Sequence, residues 1–80
     1  MPNPAHHMYL AQEAAKRRDY GDVDYNLQLA GYTRIDSYGR VAQFAMQNGD
    51  YDHMHWWNNR RSHEIAILQS ITPYPPHHPP

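Results

Sequence analysis

Between residues 5 and 72 the chain carries no proline, and its apolar positions recur there at helical spacing. Met8, Ala11 and Ala15, with Leu10 and Ala14 beside them, make a narrow face of small residues over about 5–18. Lys16, Arg17 and Arg18 fall in the last turn of that segment, where cations suit the helix dipole. Val23, Leu27 and the Ala30–Gly31 pair repeat over about 22–35, with Asp19 or Asp22 free to cap. Val41, Phe44 and Ala45 follow over about 37–48, after Asp36 or Ser37 as a cap. Met54, Trp57, Ile65, Leu68 and Ile71 lie near one face of a fourth segment, about 51–71. Arg61 interrupts that face, so its stem should pack while its head reaches solvent. Tyr25, Leu27 and Leu29 also alternate as a strand would, but such a strand has no partner elsewhere. The pattern predicts an all-α domain over residues 5–72, built as two antiparallel helical hairpins, about 5–35 and 37–71. A short N-terminal extension, residues 1–4, precedes it, and an extended proline-rich tail, residues 73–80, follows.

The two hairpins echo each other. Sliding the chain by 31 positions lays Ala11, Gln12, Ala14, Asp19 and Tyr20 over Ala42, Gln43, Ala45, Asp50 and Tyr51 without a gap. Val23 then meets Met54, and Tyr25 meets Trp56. A period of this size marks stacked helical hairpins. Gly49-Asp50-Tyr51-Asp52, preceded by Ala42, resembles the turn between the two helices of a tetratricopeptide repeat. Leu10, Ala11, Val23, Leu27 and Ala30 fall on that repeat's packing positions. The chain departs from the pattern where Met54 replaces the usual alanine, Asn58 an aromatic and Arg18 the turn glycine. The period is also shorter than the usual one, and no proline closes either repeat. The resemblance spans roughly residues 8–66 and implies a protein-binding helical scaffold. Two repeats are fewer than the three generally needed for independent stability, which points outward to a partner.

Composition sharpens that expectation. Eighty residues allow one small core, and the absence of cysteine excludes disulfides and thiolate metal sites. A net charge of −1 provides no global field toward nucleic acid or an anionic membrane. No run is apolar enough to insert in a membrane, and the first residues lack a signal peptide's basic and apolar regions. The expectation is an intracellular chain, free or part of an assembly. Seven tyrosines, two tryptophans and seven histidines stand against few aliphatics, and tyrosine, tryptophan and arginine are enriched at protein interfaces.

The densest candidate chemistry is HMHWWNNRRSHE, residues 53–64. On a helix His53 and His55 point about 200° apart and cannot chelate one ion together. Asp52 and His55 share a face, but His63 lies about 12 Å further along the axis. No zincin motif, phosphate loop or nucleophile elbow is present, so no metal, cofactor or catalytic group is expected. Trp56, Trp57, Arg60, Arg61 and, on the tail, Tyr74 are the expected partner contacts. Neighbouring residues differ by about 100° on a helix, so Trp57 should turn inward and Trp56 outward. The tail's Pro73-x-x-Pro76 and Pro76-x-x-Pro79 spacings favour a polyproline II strap against a neighbouring subunit, or an unstructured end. The expectation is a non-enzymatic protein-interaction module, a small accessory or structural subunit, with a homo-oligomer among its compatible states. The alternative is a nucleic-acid-binding module in which Arg60 and Arg61 contact phosphates and the tryptophans stack on bases.

Overall fold

A computed structural model describes residues 3–71, which form four helices. These are α1 (Pro4–Lys16), α2 (Tyr20–Leu29), α3 (Arg34–Gln47) and α4 (Tyr51–Ile71). The proposed strap and Tyr74 lie outside the described residues. The helices pack as two hairpins, α1 on α2 and α3 on α4, with α3 also lying against α2 and α1.

Each helix starts on a side-chain cap. Asn3 accepts from Ala5 N–H at 3.1 Å, Asp19 from Asp22 N–H at 3.3 Å and Thr33 from Asp36 N–H at 3.1 Å. Asp50 reaches His53 N–H at 3.4 Å. Of the two caps expected for α2, Asp19 takes the role; α3 uses Thr33 instead of Asp36 or Ser37 and starts three residues early.

Three helices end in one way. After α1, Asp19 N–H bonds Ala14 C=O and Arg18 N–H bonds Ala15 C=O. The same nested pair closes α2 through Tyr32 and Gly31, and α3 through Asp50 and Gly49. This is the Schellman closure, which needs one left-handed residue. Gly31 has φ 109°, Gly49 φ 71° and Arg18 φ 59°. Gly31 therefore stops α2 at Leu29, where the sequence pattern alone carried it to about 35. In the 31-residue register Arg18 falls on Gly49, and it adopts the glycine conformation despite its side chain. Arg18→Gly should accordingly be about 1 kcal/mol more stable than Arg18→Ala. Inside a helix the order is reversed, so equal or inverted midpoints in urea would show that residue 18 is not left-handed.

The core is thin. Ala11, Ala14, Ala15, Tyr20, Val23, Leu27, Tyr38, Val41, Ala42, Ala45 and Trp57 are buried, with Met8, Tyr32, Phe44 and Met54 packed around them. Five of these eleven are alanines, which bring the helices close but remove little apolar surface from water. Two polar residues are buried with them, and both are satisfied. Asn26 donates to Asp22 C=O at 2.9 Å and faces His7 Nδ1 at 3.1 Å, while Ser37 Oγ donates to Asp24 Oδ1 at 2.6 Å.

Only Trp57 is buried along α4. Leu68 and Ile71, expected on its core face, are 50% and 70% exposed. At 21 residues α4 outruns the 14-residue α3 by about 10 Å, and its last turns extend past their neighbour.

Candidate functional site

α2 and α4 border an open groove made of two hollows. The first, about 450 Å³, is lined by Arg18, Tyr20, Gly21, His53, Trp56 and Trp57 among others. The second, about 480 Å³, is bounded by Asp24 and Gln28 of α2, Tyr38 of α3, and Arg60, His63 and Glu64 of α4.

An aromatic stack forms the floor between them. Trp57, 6% exposed, meets Tyr38 with ring centroids 5.6 Å apart. Trp56 stands edge-on to Trp57 at 4.9 Å and 76°, and is 54% exposed. The Arg60 guanidinium sits 5.0 Å from the Tyr38 ring centre, 5.4 Å from Trp56 and 5.8 Å from Trp57. One cation thus spans three rings, each attracting it by its π face. Arg34 and Glu64, 3.6 Å apart, border the far end.

The near end is organised by Asp50. Its carboxylate accepts from Tyr20 O–H at 3.0 Å and from His53 Nδ1 at 2.8 Å, with Arg18 Nη1 at 3.9 Å. The His53 ring also lies 5.0 Å from that of Tyr20. The His53 bond is the main reason the Asp50 pKa is lowered, and the Tyr20 bond adds to it against an opposing desolvation. A depressed carboxylate pKa stabilises the fold fully above the unfolded value, and that contribution is lost as pH falls through the folded value. Wild-type Tm should therefore drop on acidification through the carboxylate range. Asp50→Asn keeps a capping side chain but should flatten that acid limb. An unchanged limb in thermal melts would remove Asp50 from the acid response.

The structure brings Trp56, Trp57 and Arg60 together. It separates Arg61 from them. The Arg61 side chain lies across Gly39 of α3, where an added Cβ would stand 3.2 Å from its Cδ and Nε, and it faces a different hollow. Arg61 is exposed as a residue, with only its Cδ and Nε placed against Gly39, and it does not share the tryptophan surface. Tyr20, Tyr38, His53 and Asp50 belong to the groove without having been singled out as contacts. The repeat register contained a signal for the first, because Tyr20 is the counterpart of Tyr51.

Among the described residues, no group of three or more His, Asp or Glu is placed to hold a metal ion. None of the described helices is long and apolar enough to cross a membrane. No family model matches the chain, and no curated protein or solved structure matches it either.

Proposed function

We propose that the chain is a non-enzymatic protein-interaction module, a small accessory or structural subunit that grips a partner between α2 and α4. The observation that carries this reading is the pairing of a half-exposed Trp56 with an Arg60 already fixed over three rings. Tryptophan and arginine dominate the energetics of protein interfaces, and side chains ordered before binding lose less entropy on contact. Gly21 leaves the opposite wall open, since a Cβ there would meet nothing within 4 Å. An apolar partner side chain fits beside Trp56, with polar groups meeting Arg18 and Asp52 at the rim. Repeated helical hairpins of the tetratricopeptide kind present comparable surfaces, and the Asp-Tyr turns here support that likeness.

Native material should run larger than the chain alone, and its co-purifying protein identifies the partner. Trp56→Ala should weaken that complex by about 2 kcal/mol, roughly thirtyfold, while leaving the melt within about 1.5 kcal/mol of wild type. Undiminished binding by Trp56→Ala would move the contact elsewhere. Nucleic acid is the competing ligand, because Trp56 and Arg60 together offer stacking and a phosphate contact. It predicts affinity falling steeply with salt, whereas an apolar protein contact holds.

A further inference from the structure

The second hairpin carries an unfilled copy of the junction that holds the two hairpins together. In the first hairpin Ala11, Ala15, Val23 and Leu27 belong to the buried cluster that α3 closes. Their counterparts 31 residues on are Ala42, Met46, Met54 and Asn58. All four line one open hollow of about 410 Å³ on the side of the α3–α4 hairpin that none of the described helices covers. Met46 is 48% exposed there, and Tyr51, the counterpart of buried Tyr20, is 59% exposed.

We propose that this hollow receives α1 of a second copy of the chain, so that copies stack head to tail in the 31-residue register. This surface is separate from the α2–α4 groove. Adding 31 on one side and subtracting 31 on the other names the pairs that a second copy would bring together. The Ser37–Asp24 bond and the Arg18 contacts are not kept, since the first becomes His6 with His55 and Gly49 takes the place of Arg18. Tyr20 O–H donates to Asp50, and the carried-over pair is Tyr51 with Asp19 of the second copy. Asn48 Nδ2 donates to Ala15 C=O at 2.7 Å, and its replacement, Arg17 of the second copy, is again a donor facing Met46 C=O. Val41 becomes Leu10, which keeps an apolar side chain at that point.

The decisive exchange is at the centre. Phe44 of α3 lies over Met8 and Leu27 in the intrachain junction. In the interchain junction Phe44 becomes Glu13, Leu27 becomes Asn58, and Met8 becomes Gly39 with the Arg61 side chain laid across it. Both sides have changed from apolar to polar together, and they carry opposite charges. Glu13 is paired with Lys16 of its own helix at 2.7 Å and would exchange or share that partner with Arg61 in the stacked form. With less apolar area than the intrachain junction, this contact forms only at raised concentration. Because it joins two different surfaces, it does not close at a dimer.

Sedimentation velocity from the micromolar to the millimolar range tests this on the full chain. Wild-type mass should rise with concentration past that of a dimer. Glu13→Arg and Arg61→Glu, each alone, should stay monomeric with helix content unchanged by circular dichroism. Their equimolar mixture should regain the wild-type behaviour through alternating native and reversed charge pairs, and a chain carrying both substitutions should regain it with every pair reversed. A wild-type chain that remains a monomer throughout overturns the proposal, as does association that stops at a dimer. Association by either single variant, or no recovery in the mixture and the double variant, overturns it equally.

Discussion

Trp57→Ala should destabilise the chain by about 3–5 kcal/mol in urea denaturation, close to the effect of removing any large core aromatic. For this chain that is most of what it has, since 80 residues correspond to roughly 4–12 kcal/mol in total. The reason is how α4 is attached. Trp57 is its only buried residue, packed on Tyr38 of α3, with Met54 partly buried one turn before it. Removing the indole leaves a void against Tyr38 and takes away one of the three rings beneath Arg60. Trp56→Ala, one residue away, makes the internal control. A loss under about 1 kcal/mol for Trp57→Ala would mean that α4 is held by something other than this contact.

Leu27→Ala is the second large effect, at about 2–5 kcal/mol. Leu27 is fully buried and shares a hollow with Met8 of α1 and Phe44 of α3, so it sits where the two hairpins meet. Its neighbours are helices whose spacing is fixed by alanines, which leaves little room for collapse into the vacated volume. Leu27→Asn, the residue found at the corresponding position 58, should cost more still, because it buries an amide with no partner. Chemical denaturation of both variants checks the order. If Leu27→Asn is the more stable, the position is wetter than its burial implies.

Much of this architecture is legible in the sequence, and the misses have identifiable physical causes. The proline-free span and the helical spacing of its apolar positions mark the four helices, and the 100° step between neighbours separates Trp57 from Trp56. The end of α2 is misplaced because Ala30 and Gly31 continue the apolar spacing, while the left-handed closure that stops the helix depends on backbone geometry. Leu68 and Ile71 keep the periodicity of α4, but periodicity carries no information about the length of the helix that would cover them. The abundance of tyrosine points outward to an interface, yet Tyr20 and Tyr38 are 4% exposed, since a core this poor in aliphatics draws on aromatics to fill space. The Arg60–Arg61 pair looks like one basic site along the chain, and adjacent helix positions send the two into different hollows.

Asp19 and Asp50 each finish one helix and begin the next, so the α1–α2 and α3–α4 turns contain no spare residue. An inserted or deleted residue there would displace a closure, a cap and the facing of a whole helix in one event. Descendants of this chain can therefore change length at the termini, while both hairpin turns stay fixed in length even as their side chains drift. A 31-residue register can persist in this way long after most of the amino acids that once repeated have diverged.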